Sequence, residues 1–92
     1  MCTMIAKKVS LEGSGKSSTG WFVVNQANVS YDHPFHIHEE HALNIDFVNE
    51  SLGLDARVAV ELSERDARRL VATILEVLEE AEERGHLEQS TS

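Results

Sequence analysis

The sequence has one cysteine, one proline, one tryptophan and one tyrosine among its 92 residues. A single cysteine, Cys2, excludes a disulfide within the chain and is typical of a reducing compartment. No segment approaches the ~20 consecutive apolar residues that a membrane span needs. Residues 1–8 also lack the apolar core of a signal peptide. We therefore expect a cytoplasmic protein that does not enter a membrane.

Basic residues are half as numerous as acidic ones. Eight Lys and Arg stand against 16 Asp and Glu, which gives a formal net charge of −8. A protein that binds nucleic acid or an anionic membrane needs a basic face, and the sequence offers none, so both are excluded as partners. The length predicts one domain with a marginal core, for which oligomerisation is a common remedy.

Four segments have the alternating or β-branched pattern of strands, namely residues 3–11, 21–31, 41–48 and 56–62. The Gly-, Ser- and Lys-rich residues 12–20 predict a flexible connection between the first two. His33-Pro34 ends the second strand, because proline lacks a backbone donor and restricts the residue before it. Short links between neighbouring strands predict an antiparallel meander.

One amphipathic helix follows the last strand. Ser63 is a natural N-cap, Asp66 supports the cap, and Gly85 is suited to the C′ position that ends a helix. Seven residues form its apolar stripe: Ala67, Leu70, Val71, Ile74, Val77, Leu78 and Ala81. We predict one domain over residues 1–85, with residues 86–92 as a disordered tail.

These elements predict an α+β fold in which a four-stranded antiparallel sheet carries the C-terminal helix packed on one face. The second face mixes polar residues with apolar ones. The apolar members are Phe22, Val24, Ala42, Val48 and Ala59. Because a solvated face rarely carries such residues, we expect a homodimer formed through this face or through a sheet edge.

The segment from Asp32 to Asp46 is the place where chemistry is most expected, because four of the five histidines fall within nine positions of it. Imidazole is the commonest biological metal ligand. In an extended chain two residues of a His-x-His pair share one side. The metal-ligating candidates are His33, His36, His38, His41, Glu40 and Cys2, and the expected ions are zinc, copper, nickel or iron. The alternative is a polar turn without a metal.

The same segment also supports acid–base chemistry. His33 or His41 paired with Asp32 or Asp46 supplies the acid and base of a small lyase- or isomerase-type enzyme. Outward polar side chains on neighbouring strands form a floor suited to a small-molecule ligand. The ligand-binding candidates are Gln26, Asn28, Asn44 and Arg57. A non-catalytic regulatory protein that binds a partner is the third alternative.

Several blocks of sequence resemble a family of small bacterial proteins known only as a domain of unknown function. They are Met1-Cys2-Thr3, Gly20-Trp21-Phe22, Tyr31-Asp32-His33-Pro34, residues 40–49 and residues 58–63. The resemblance implies a stand-alone bacterial protein, with His38 outside the recurrent blocks, and it implies no activity. Together these patterns predict a small ligand- or divalent-metal-binding homodimer that uses residues 32–46.

Overall fold

The computed structural model describes residues 5–87. Its strands are β1 (Ile5–Ser17), β2 (Gly20–Asp32), β3 (Ala42–Val48) and β4 (Arg57–Leu62), and its one α-helix is α1 (Glu64–Glu83). A short 3-10 helix, Glu50–Leu52, lies between β3 and β4. The strands pair antiparallel in chain order. The predicted α+β fold, a four-stranded antiparallel sheet followed by one helix, is confirmed.

The hairpin between β1 and β2 is much longer than the sequence predicts. Residues 12–20 were expected to be a flexible connection, whereas the two strands remain paired up to Ser17 and Gly20. A register shift between Ser10 and Gly13 interrupts the pairing. At Gly15, an added Cβ would lie 3.2 Å from a methyl group of Val24. Glycine is therefore useful here because it lets another side chain pack against the strand.

The pairing register separates the side chains into two faces. The apolar face has three rows across the sheet: Ile5, Tyr31, Leu43 and Leu62; Lys7, Val29, Ile45 and Val60; Val9, Ala27, Phe47 and Val58. The polar face also has three: Ser10, Gln26, Val48 and Arg57; Lys8, Asn28, Asp46 and Ala59; Ala6, Ser30, Asn44 and Glu61. Residues that face each other across strands lie close enough to contact, so each row is a continuous strip of surface.

The core within one chain is small. Its buried apolar residues are Val24, Ala27, Ala42, Val48 and Ala56. Within residues 5–87, no large side chain is fully buried. Three of the apolar residues expected to meet a second copy, namely Val24, Ala42 and Val48, are thus already buried inside the chain. Their burial explains why they interrupt the polar pattern and removes them as a dimer surface.

The limits of α1 agree with the sequence. The Ser63 hydroxyl oxygen accepts a hydrogen bond from the Asp66 backbone N–H at 3.2 Å, as an N-cap does. At the other end, Gly85 has a φ of +73°. The His86 N–H donates to the Ala81 carbonyl oxygen at 2.8 Å, and the Gly85 N–H donates to Glu82 at 3.0 Å. This pair of bonds is a Schellman motif, which satisfies carbonyls that the helix leaves open.

The position of α1 differs from the prediction that it packs across one face of the sheet. None of its twenty residues is buried, and only its first turn approaches the sheet, where Ala67 lies beside Tyr31 and Leu43. The reason is the connection: β4 ends at Leu62 and the helix begins at Glu64. One residue is too short a link to turn the helix back over the strands. No helix within residues 5–87 has both the length and the apolar character needed to cross a membrane.

A buried asparagine holds the turn after β3. Asn49 is 6% exposed. Its side-chain Nδ2 donates to the Val23 carbonyl oxygen at 3.0 Å, and its Oδ1 accepts from the backbone N–H and the hydroxyl of Ser51 at 3.2 and 2.6 Å. Asn49 therefore joins the turn to β2, a role that its sequence position did not indicate.

Candidate functional site

The loop between β2 and β3, residues 33–41, is anchored to β4 by one carboxylate. Glu61 accepts hydrogen bonds from three successive backbone N–H groups, those of Phe35 at 2.5 Å, His36 at 2.9 Å and Ile37 at 3.1 Å. These bonds hold the pKa of Glu61 below its usual value, the bond from Phe35 most strongly and those from Ile37 and His36 in the same direction, against the opposing effect of desolvation. The histidine-rich loop is thereby fixed at the end of the polar face.

A cavity of about 360 Å³ lies between this loop and the polar face. Its lining residues are Ser30, Asp32, His33, Pro34, Phe35, Asn44, Asp46, Arg57, Ala59, Val60 and Glu61. The volume is within the range of sites that hold small molecules. Three carboxyl groups and one guanidinium line it, so the lining carries an excess of negative charge.

Asp46 and Arg57 form an ion pair within the cavity wall. The Arg57 Nη2 and Nε donate to the same Asp46 oxygen, Oδ1, at 2.9 and 3.2 Å. The pair is partly exposed, with 53% of the Arg57 side chain and 32% of the Asp46 side chain accessible. Both bonds use one carboxylate oxygen, which leaves acceptor capacity on Asp46 for a further donor.

The four predicted ligand-binding residues divide into two groups. Asn44 and Arg57 line the cavity, whereas Gln26 and Asn28 lie farther along β2 and are not among its lining residues. Gln26 donates from its Nε2 to Asn28 Oδ1 at 2.8 Å. Asn28 does lie opposite Asp46 in the register, as a shared polar floor requires. The polar floor thus exists, but one half of it is outside the cavity.

Two of the four predicted acid–base residues, His33 and His41, have stacked rings. The rings of His33 and His41 have centroids 4.9 Å apart, and His41 also stacks on Tyr31 at 5.8 Å. His33 Nδ1 lies 3.1 Å from the Glu40 carbonyl oxygen. A carbonyl oxygen only accepts, so His33 Nδ1 is the donor of this bond. The Asp32 Oδ1 accepts from the His33 backbone N–H at 2.7 Å.

The predicted metal ligands are not assembled into one cluster. Among residues 5–87, no group of three or more His, Cys, Asp or Glu side chains has an arrangement that could hold a metal ion. His33 and His41 are adjacent, whereas His36, His38 and Glu40 are exposed loop residues. Cys2 lies outside the described residues. The metal site therefore stays a prediction.

Sequence reasoning missed Glu61, the residue that organises the site. The sequence patterns place it only within the fourth strand, residues 56–62, and give it no role in the site. One signal was available: backbone N–H groups of a loop that follows a proline need acceptors, because loops lack the ladder of a sheet. Glu61 is the acid on the strand that ends next to the loop. Its partners are 24 to 26 residues away in the chain, a separation that local patterns do not reveal.

Comparison with protein families gives one match. A family model described as a family of unknown function, DUF6295, covers residues 1–87. This agrees with the resemblance drawn from the sequence blocks. Comparison with curated proteins and with solved structures finds no match.

Proposed function

The chain belongs to this family of unknown function, and from its geometry we propose that it is a small ligand-binding protein whose ligand carries an amine. The observation that supports this proposal most is the cavity of about 360 Å³ under the loop of residues 33–41. Cavities of this size with a few convergent polar groups are the usual sites of small molecules. Five of the residues that the sequence identified also line the cavity, namely Asp32, His33, Asn44, Asp46 and Arg57.

The charge of the cavity favours a cationic ligand. Asp32, Asp46 and Glu61 outnumber the single cation Arg57. Because Glu61 is occupied by three backbone N–H groups, Asp46 is the acceptor best placed for a ligand ammonium group. An ammonium group has three donors and no acceptor, so it suits a site rich in carboxylate and amide oxygens.

An aromatic side chain stands at the rim. Phe35 lines the cavity and is 97% exposed, while its backbone is held by Glu61. Full exposure of a phenyl ring is unfavourable in water, and the ring face attracts cations. We propose that Phe35 covers an amine-bearing ligand once it is bound.

The proposal is tested by NMR titration with putrescine, a small diamine, and with succinate, a dicarboxylate of similar length. Putrescine is expected to shift the amides of Ser30, Asn44 and Asp46, and succinate is expected to leave them unchanged. Asp46→Asn should weaken putrescine binding about tenfold, because a charge-assisted hydrogen bond is lost.

The matched control is Asp55→Asn, which changes the net charge equally but at an exposed turn outside the cavity. It should leave putrescine binding unchanged. Equal weakening by Asp46→Asn and Asp55→Asn would show only general electrostatic attraction and would reject the cavity as the site.

The histidine pair supports a second candidate, a divalent-metal site. The stacked imidazoles of His33 and His41 supply two ligands of the kind that zinc, copper, nickel and iron accept. Elemental analysis of tag-free protein purified without a chelator tests it. A metal content near one per chain that falls with His33→Ala supports the site, and metal-free protein whose stability does not respond to added ions opposes it.

We also propose that the binding protein works in the cytoplasm as a homodimer. The single cysteine supports a reducing compartment. The small core supports the dimer, since a chain of this size buries too little apolar surface alone.

A further inference from the structure

The apolar stripe of α1 is uncovered. Five of its large side chains are each between 44% and 60% exposed, namely Leu70, Val71, Ile74, Val77 and Leu78, and the neighbouring Leu75 is 53% exposed. A helix in water takes most of its stability from packing an apolar stripe against another surface. The contact of Ala67 with the sheet covers only the first turn. The remaining four turns therefore need a surface that their own chain does not provide.

The apolar face of the sheet is incompletely covered as well. On β1, Ile5 is 57% exposed and Val9 is 50% exposed. Apart from the buried Ala27, the residues in the same rows on β2, β3 and β4 are aromatic or branched apolar side chains that are only partly buried. Monomeric proteins rarely leave continuous apolar patches of this kind open to water.

We infer that two copies of this chain pair by placing α1 of each copy on the apolar face of the other. This inference rests on the proposed homodimer and specifies its interface. Both complementary surfaces belong to the same chain, so a second copy supplies each of them in equal amount. A two-fold arrangement uses both surfaces at once and leaves neither open.

Charge complementarity supports the same partner. From Leu70 to Glu83, the helix has five glutamates and no basic residue. Strand β1, an edge strand of the sheet, has Lys7, Lys8 and Lys16 against Glu12, and Lys7 lies in the middle row of the apolar face itself. A helix laid across the partner's sheet brings its acidic flank towards a basic strand, and opposite charges at an interface fix its orientation.

The first test changes one residue of the helix. Ile74→Glu places a charge in the stripe, whereas Ala72→Glu places the same charge on the opposite, exposed side of α1. Sedimentation equilibrium of the wild type and of Ala72→Glu is expected to give twice the chain mass. Ile74→Glu is expected to weaken the dimer more than about tenfold, since the change occurs twice in a symmetric pair.

The second test identifies which surfaces meet without disturbing either. Two differently tagged chains, both with Cys2→Ser, carry Ile74→Cys in one and Val9→Cys in the other. After mixing, a short bismaleimide should join the two tags. The matched control replaces Ile74→Cys with Ala72→Cys, which should give little joined product.

The possible outcomes separate the two proposals. A wild type of single-chain mass rejects the homodimer and the interface together. A dimer that resists Ile74→Glu and does not join the two tags rejects this interface but keeps the homodimer. If the two cysteines placed in one chain crosslink only within that chain, α1 folds back on its own sheet, which also rejects the interface. None of these results depends on the cavity or on putrescine.

Discussion

The two faces of the sheet meet their physical requirements in different ways. On the polar face, the loop of residues 33–41 is held by Glu61, and the carboxylate of Asp46 is met by Arg57. Within residues 5–87, every buried side-chain nitrogen or oxygen has a hydrogen-bond partner. On the apolar face, Ile5 and Val9 of β1 remain half exposed, and the helix, which approaches β3 and β4, does not cover them.

The difference shows that a short chain satisfies its hydrogen bonds more easily than it buries its apolar side chains. A hydrogen-bonding group needs only one correctly placed partner, so a single glutamate can hold a loop in position. Burial of apolar side chains depends on the area of the surfaces that pack together. A chain of 92 residues buries a smaller fraction of its surface than a larger protein does. The polar contacts are therefore satisfied within one chain, whereas apolar side chains of β1 remain half exposed.

Among the contacts made within one chain, we expect those of Asn49 to have the largest effect on stability. Asn49→Ala removes the hydrogen bond to Val23 and both bonds from Ser51, and it leaves buried groups without partners. We expect the free energy of unfolding to fall by about 2–4 kcal/mol. Urea denaturation at one fixed protein concentration measures it, because the stability of a dimer depends on concentration.

Asn25→Ala is the control for this substitution, since Asn25 is an exposed residue of β2. It should change stability by less than about 0.5 kcal/mol. If Asn49→Ala and Asn25→Ala lower the free energy of unfolding by the same small amount, the hydrogen bonds of Asn49 do not hold the turn. The contrast between the two faces would then be weaker.

A smaller effect is expected at Glu61, and it depends on pH. Because hydrogen bonding lowers the pKa of Glu61 in the folded protein, its ionised form stabilises the loop at pH values above the usual glutamate pKa of about 4.3. That stabilisation is lost as the pH falls through the lowered pKa. The NMR amide shifts of Phe35, His36 and Ile37 should then titrate together, with a midpoint below 4.3.

Glu61→Gln should abolish this shared titration and lower the melting temperature by less than Asn49→Ala does. Glu12→Gln, an exposed change on β1, should leave it intact. A midpoint above the ordinary value, or a titration that persists in Glu61→Gln, would contradict the proposed anchor. Either result would show that Glu61 does not hold the histidine-rich loop at the polar face, where the loop lines the cavity.

Local patterns predicted the parts of this fold that local forces determine. Ser63 and Gly85 marked the ends of α1 because caps are made by neighbouring residues. Alternation identified the apolar rows of β3 and β4 because side chains of a strand point alternately to its two faces. The mobile connection expected for residues 12–20 was wrong, since strand pairing outweighed the low strand preference of glycine and serine.

Contacts between residues that are far apart in the sequence could not be predicted from such patterns. The helix was placed over the sheet because an apolar stripe needs cover, yet the sequence does not say whether the cover comes from the same chain. The candidate site was predicted in part: Asp32, His33, Asn44, Asp46 and Arg57 do line one cavity. The role of Glu61 could be seen only in the folded structure, because Glu61 joins two segments that only the sheet brings together.

The register shift between Ser10 and Gly13 also has a consequence for how assembly stops. Strand β1 is at the edge of the sheet, where a foreign strand can extend the hydrogen-bonded ladder and begin a fibre. A bulge breaks the regular spacing of donors and acceptors, and Lys7 and Lys8 place charge on both sides of the same strand. Both features oppose growth of the sheet along its edge, which is compatible with the closed pair proposed above.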